Sequence, residues 1–284
     1  MIFLQSHGVS TAYGVKIYKA YGNDSIRVVQ ENPYRLADDI WGIGFKTADK
    51  IAQNLGYNKK SYPRIRSGIM YVLNQLSNEG HCFAYRDQLT DEAVKLLEVE
   101  PELIEDAVRK MLEEGSLIAD RDDALYLPVF YHSETGVARR IKRIVEADSM
   151  FIHNDVEQMI SSIEKKNRVR YDEAQREAIK KAGSCKFTVL TGGPGTGKTF
   201  TTLGIISLFK LLGAKILLAA PTGRAAKRMS EVTGMGAKTI HRLLEYKPAQ
   251  GYTVNEDNPL KCDVLILDEV SMVDLLLMYN LLKA

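Results

Sequence analysis

The stretch Gly192-Gly193-Pro194-Gly195-Thr196-Gly197-Lys198-Thr199 is a complete G-x-x-x-x-G-K-[ST] pattern. It follows the apolar run Phe187-Thr188-Val189-Leu190, read as a strand, and precedes a helix. That strand–loop–helix context is what a phosphate-cradling loop requires. Glycines let the backbone turn tightly, so that successive N–H groups converge on phosphate oxygens, and the helix adds its positive N-terminal end. Lys198 supplies a compact charge for the outer phosphates, and Thr199 a hydroxyl for Mg²⁺. A fortuitous glycine-rich turn is the competing account, and the flanking elements weigh against it. The predicted nucleotide-binding residues are therefore Gly193, Pro194, Gly195, Thr196, Gly197, Lys198 and Thr199.

Downstream, Ile216-Leu217-Leu218-Ala219 and Val264-Leu265-Ile266-Leu267 are further short apolar runs. Each ends in a polar or glycine-bearing loop, the grammar of a parallel sheet covered on both faces. The second run delivers Asp268-Glu269 to its C-terminal end, where open α/β sheets place their ligands. Asp268 is expected to hold Mg²⁺ with Thr199, and Glu269 to polarise the attacking water. ATP with Mg²⁺ is the expected cofactor pair, with Lys198, Asp268 and Glu269 as the catalytic set. An exposed acidic strand end is the alternative for the pair taken alone.

Upstream the pattern is helical. Around Trp41-Gly42-Ile43-Gly44-Phe45, Asn32 and Pro33 open one helix, and Phe45, Ala48, Ala52 and Leu55 stripe another that Gly56 stops. Residues 61–130 carry two further striped helices and then a hairpin, Leu117-Ile118-Ala119 and Leu125-Tyr126-Leu127, as in a winged-helix module. A polar helical stretch over 131–170 joins this part to the P-loop region. The expected architecture is multi-domain: a helix-hairpin-helix region over 1–60, a winged-helix-like module over 61–130, a helical linker over 131–170, and an α/β P-loop domain over 171–284.

The composition is that of a globular chain, 45% hydrophobic and 26% charged. No apolar run is long enough to span a bilayer, and the N-terminus has no basic n-region, so no membrane partner is expected. Cys82, Cys185 and Cys262 lie in no metal-ligand spacing, which suits reduced thiols and a cytoplasmic location. Net charge is only +2, but residues 1–66 hold ten Lys/Arg against five Asp/Glu. That basic end suits a polyanion, and a solvated charged face accounts for the same count.

Three further runs resemble superfamily 1 DNA helicases of the RecD-like branch: Ala220-Pro221-Thr222-Gly223-Arg224-Ala225-Ala226-Lys227-Arg228, Thr239-Ile240-His241-Arg242-Leu243-Leu244 and Asp268-Glu269-Val270-Ser271-Met272-Val273-Asp274. The N-terminal arrangement is similar to that of the longer, stand-alone members, which carry helix-hairpin-helix modules ahead of the motor. The resemblance implies a RecA-like fold for the P-loop domain and 5′ to 3′ translocation on single-stranded DNA, with strand junctions as substrates. It implies DNA contacts at Thr222, Gly223, Arg224 and His241, and at Gly42 and Gly44 through backbone N–H groups, with Gly8 to Gly22 as a degenerate first copy. It also implies that Gln175 reads adenine.

Each of these has a plainer account. Asp172 and Gln175 have capping-box spacing. Thr222 to Arg224 fit an ordinary strand-to-helix turn, His241 fits a structural first-turn histidine, and Ile40 to Ala48 fits a simple helical hairpin. The family's motors need a second RecA-like domain and its arginine, and a strand inserted between the P-loop strand and the Asp-Glu strand. Neither is found before Ala284, so negligible turnover and a gap in the sheet are expected of these residues. A non-catalytic DNA-binding module with a structural or regulatory nucleotide site is the alternative function, and a small-molecule kinase a more distant one.

Overall fold

The computed structural model describes residues 7, 9–148, 155–193, 195–248 and 250–284. Gly8 and Pro194 lie outside the described residues, as do the first six. The chain divides into two units, Met1–His132 and Ser133–Ala284.

In the first unit, glycine and asparagine punctuation cuts the chain into short helices: α1 (Thr11–Tyr21), α2 (Ser25–Glu31), α3 (Arg35–Asp39) and α4 (Phe45–Asn54). α3 begins later than Asn32-Pro33 suggests. The Asn32 side chain accepts from Tyr34 N–H at 3.1 Å, which spends it on a turn ahead of the helix. Leu36 and Ile40 do point inward, and Phe45, Ala48, Ile51 and Ala52 form the buried stripe of α4.

There follow α5 (Tyr62–Asn78), β1 (Phe83–Tyr85), α6 (Arg86–Leu97), α7 (Pro101–Glu113), β2 (Ile118–Asp120) and β3 (Ala124–Tyr126). The sheet order is β1-β3-β2, antiparallel throughout, with Phe83 opposite Tyr126 and Ile118 opposite the same residue. Helix, strand, two helices and a two-stranded wing is the element order of a winged-helix module. One apolar core runs from Val9 to Leu127 through both halves of the unit.

At the centre of that unit lies an ion pair. Arg64 of α5 donates to Asp49 of α4 from Nε at 2.8 Å and Nη2 at 3.2 Å. Tyr34 Oη and Gln53 Nε2 donate to the same carboxylate at 2.7 and 2.9 Å. Arg64 Nη1 reaches the carbonyls of Lys59 (3.0 Å) and Leu97 (2.8 Å), the latter at the C-terminus of α6. One guanidinium thus fastens α4, α5 and α6 together. Burial alone would raise the Asp49 carboxyl, but hydrogen bonds from Arg64, Tyr34 and Gln53 together with the Arg64 charge hold it below the usual range.

The second unit contains most of α8 (Pro128–Glu146), then α9 (Val156–Asn167), α10 (Glu173–Ser184), α11 (Lys198–Leu211), β4 (Ile216–Ala220), α12 (Gly223–Thr233), β5 (Ala237–Thr239), α13 (Ile240–Leu243), a hairpin of β6 (Tyr246–Lys247) and β7 (Gly251–Tyr252), β8 (Val264–Leu267) and α14 (Leu275–Lys283). β4 is central in a parallel sheet of order β5-β4-β8. α11 packs on α9 and α10 around Ile160, Ile163, Tyr171, Ile179 and Leu208. The approach is close: a Cβ on Gly204 of α11 would fall 2.5 Å from Ile179 Cδ1 and 2.9 Å from Tyr171 Oη.

Residues 187–190 form no strand, contrary to the sequence reading. A strand needs a neighbour to satisfy its backbone, and the resemblance places that neighbour after the Asp-Glu motif. The next long element there is the helix α14, so no described residue fills the slot. Val189 is accordingly 73% exposed, and all four residues of β8 are only half-buried. Both faces of the sheet are nonetheless covered, as the apolar runs suggested: Leu218 and Ile266 pack with Ile206 and Met229, and Ala219 and Leu267 with Ile240 and Leu281, so among the described residues what β8 lacks is a strand on its outer edge.

Candidate functional site

The P-loop is built by glycine backbone. Gly195 (φ +76°) and Gly197 (φ +79°) occupy the left-handed region that other residues enter at a cost. Thr196 Oγ1 donates to the Gly193 carbonyl at 2.9 Å. Lys198 folds back over the loop, its Nζ donating to the carbonyls of Gly192 (2.5 Å) and Gly193 (2.7 Å). Thr199 follows in the first turn of α11, exposed.

Helix capping separates α11 from its neighbours. α9, α10, α12, α13 and α14 each have an N-cap side chain that accepts from the first turn: Asp155, Asp172, Thr222, Thr239 and Asp274. α11 starts at Gly197 with no side-chain cap. Its first-turn N–H groups are left without the partner that five other helices supply, which is the state an anion-binding helix needs.

Gln175 does two things at once. Its Oε1 accepts from Asp172 N–H (3.2 Å), while Asp172 Oδ1 accepts from Gln175 N–H (2.8 Å), completing the capping box. With the oxygen so fixed, Nε2 faces the P-loop: a Cβ on Gly197 would lie 2.6 Å from it. The capping account and a donor aimed at the P-loop are therefore compatible.

After Gly213 (φ +71°) the chain reverses from α11 into β4. Ile206 of α11 packs with Leu218 of β4, so α11 runs back along the sheet. β4 and β8 are parallel and in register, Ala219 opposite Leu267, so Thr222 and Asp268 both follow the C-terminal edge of the sheet. Asp268 N–H donates to the Ala219 carbonyl (3.0 Å) and its Oδ1 accepts from Glu269 N–H (2.9 Å). Glu269 stands at φ +52°, a conformation costing about 1–3 kcal/mol for a residue with a Cβ and frequent where function fixes a side chain. Both carboxylates are exposed.

Thr222 caps α12 by accepting from Ala225 N–H at 3.2 Å, which leaves its own O–H free to donate. Gly223 faces open space and Arg224 is exposed beside it. His241 is exposed and packs its ring against Tyr246 (5.6 Å) and Tyr252 (6.1 Å) of the β6-β7 hairpin. In the first unit, Gly42 (φ +86°) is the third residue of a turn closed by Ile43 N–H on the Ile40 carbonyl (3.0 Å), and Gly44 faces open space before α4.

Residues 1–83 match the model of the ATP-dependent RecD2 DNA helicase HHH domain, and residues 175–284 that of an AAA domain. The ATP-dependent RecD2 DNA helicase of Deinococcus radiodurans is 34% identical over 99% of this chain. The chain is of the RecD-like family. It spans 40% of that relative's length. The RecBCD enzyme subunit RecD of Mycolicibacterium smegmatis is 35% identical over 57% of the RecD-like chain and 32% of its own length. The ATP-dependent DNA helicase dda of Enterobacteria phage T4 is 44% identical over 31% of the chain and 22% of its own.

The residues of this RecD-like chain fit a triphosphate. The cradle is bare of Cβ atoms at Gly195 and Gly197, the helix end behind it is uncapped, and Lys198 holds its ammonium over the loop. Sequence reasoning passed over two features: Trp41, 93% exposed at the tip of the α3-α4 hairpin, and the half-buried Lys16, whose Nζ donates to the Trp41 carbonyl at 3.3 Å. The only signal for either was a tryptophan inside a glycine turn.

Proposed function

We propose that residues 171–284 bind ATP with Mg²⁺ and that the protein couples its hydrolysis to 5′ to 3′ movement on single-stranded DNA. The observation that carries the nucleotide reading is the uncapped start of α11 behind two left-handed glycines, in a unit whose other described helix starts are capped. The α11 N–H groups and Lys198 take the phosphates, Lys198 by exchanging the Gly192 and Gly193 carbonyls for phosphate oxygens. Thr199 and Asp268 hold the metal, which would neutralise charge developing on the phosphates. Glu269 orients the attacking water, and Gln175 Nε2 donates to the adenine edge.

DNA is read at two places. Thr222 O–H, Gly223 N–H and Arg224 meet the strand backbone at the C-terminal edge of the sheet, with His241 alongside. The α3-α4 hairpin meets phosphates through Gly42 and Gly44, in a helix-hairpin-helix region over 1–60 joined to a winged-helix-like module over 61–130. Helicase action by the whole protein, which its relatives' names support, and strand junctions as its substrates, which the resemblance implies, are part of the same proposal.

The test is binding of a fluorescent ATP analogue to the 284-residue chain with Mg²⁺. Lys198→Ala should abolish it, and Glu269→Gln should preserve it. Equal binding by parent and Lys198→Ala would sink the reading. ATP hydrolysis with and without single-stranded DNA then tests the coupling.

A further inference from the structure

The charges of residues 1–66 are sorted by type. All five acids are held by arginines: Asp24 and Glu31 by Arg27, Asp38 by Arg66, Asp39 by Arg35, and Asp49 by Arg64. Lys60 pairs with Glu100. Lys16, Lys19, Lys46, Lys50 and Lys59 have no carboxylate partner among the described residues, so the positive excess of this end rests on them. Lys46 and Lys50 lie one turn apart on the exposed face of α4, Lys46 over the Tyr71 ring at 5.7 Å. Lys16 reaches across from α1 to the hairpin tip, 5.7 Å from the Trp41 ring centroid. The winged part has the opposite balance, four Lys/Arg against ten Asp/Glu over residues 86–114, and would repel a polyanion.

Among these lysines stands one bare indole. Ile40, Ile43 and Phe45 around it are buried, so Trp41 is the one large apolar side chain that the described α3-α4 hairpin exposes. A protein interface needs a far wider patch of contacts around its anchor. A single flat ring beside cations matches a single nucleobase, whose π-face stacks on aromatic side chains whatever its identity.

We propose that Trp41 stacks on an unpaired base of single-stranded DNA while Lys16, Lys46 and Lys50 hold the flanking phosphates. The hairpin then distinguishes unpaired strand from duplex, which glycine N–H groups on phosphates do not. This rests on the reading of the first unit as DNA-binding, and adds base contact to it.

Trp41 is the sole tryptophan of the chain, so its emission reports this site and not the sheet edge around Thr222. The experiment titrates the full chain with fluorescein-labelled oligothymidylate and with blunt duplex, following anisotropy for binding and tryptophan emission for stacking. Single strand should bind and quench Trp41, and blunt duplex should not quench it. Trp41→Ala should weaken single-strand binding at least about fivefold, with Trp41→Phe recovering most of it. Lys46→Ala with Lys50→Ala should lower the log–log salt slope by about 1.4, from two lost phosphate contacts. Binding without quenching, equal quenching by duplex, or unchanged affinity in Trp41→Ala would overturn the stacking role while leaving phosphate binding intact. No binding of either DNA would overturn the underlying reading as well.

Discussion

Replacing Asp49 by alanine removes the one carboxylate that faces Arg64 among the described residues, and the structure sets the size of the effect. Arg64's side chain is only 6% exposed, so its charge would be left buried without a counter-ion. Stripping one partner from a buried pair costs about 3–5 kcal/mol. Arg64 would keep its bonds to the Lys59 and Leu97 carbonyls, which places the value toward the lower end, about 3 kcal/mol, or roughly two orders of magnitude in the unfolding equilibrium. The double replacement Asp49→Leu with Arg64→Met removes both charges but orphans the Tyr34 hydroxyl and the Lys59 and Leu97 carbonyls, at about 1–3 kcal/mol for each group left buried. It should therefore gain little over Asp49→Ala, because the carbonyls it strips offset the buried charge it removes. Hydrogen exchange of α4 and α5 amides reads this unit separately from the rest of the chain. A loss below about 1 kcal/mol in Asp49→Ala would refute the account of this network.

Acid should reveal the same pair. A carboxyl held low in the folded state contributes stability above its unfolded value, ordinarily 3.8, and loses it as pH falls through the folded value. Urea midpoints of the first unit should therefore fall below about pH 4, and Tyr34→Phe, which removes one donor to Asp49, should shift that fall upward. Gln175→Glu retains the capping acceptor but loses the Nε2 donor. Stability should stay within about 0.5 kcal/mol, while preference for ATP over GTP drops in competition binding. Gly204→Ala places a methyl group 2.5 Å from Ile179 Cδ1 and should cost about 1–3 kcal/mol in thermal or urea unfolding of the second unit.

The glycine turn ahead of α11 and the acidic end of β8 were legible because their residues are contiguous: backbone turns, hydroxyl, ammonium and carboxylates sit within eight or two consecutive residues. The stripes of α4, α5 and α7 were legible because helical periodicity survives without knowledge of the partner. The strand expected at 187–190 failed for the converse reason, since a strand exists only when a neighbour takes its hydrogen bonds. β1 is three residues long, too short for alternation to register, and its pairing with β3 joins positions some forty residues apart. Asp49 and Arg64 are ordinary charges in the sequence and become a pair only through packing. Gln175 posed a choice between cap and nucleotide donor that the geometry dissolves, because its oxygen and nitrogen face different ways.

The unpaired side of β8 has a practical consequence. Among the described residues no strand pairs with the outer side of Val264-Leu265-Ile266-Leu267, a run of four aliphatic side chains with no proline and no charge, and so a template onto which another extended chain can add. Only Asp263 and Asp268, one at each end, act as gatekeepers against self-association. Neutralising Asp268 to silence hydrolysis would therefore also remove half of that guard, and a precipitating variant would be mistaken for a catalytic defect. Glu269→Gln leaves both sentries standing and is the cleaner change.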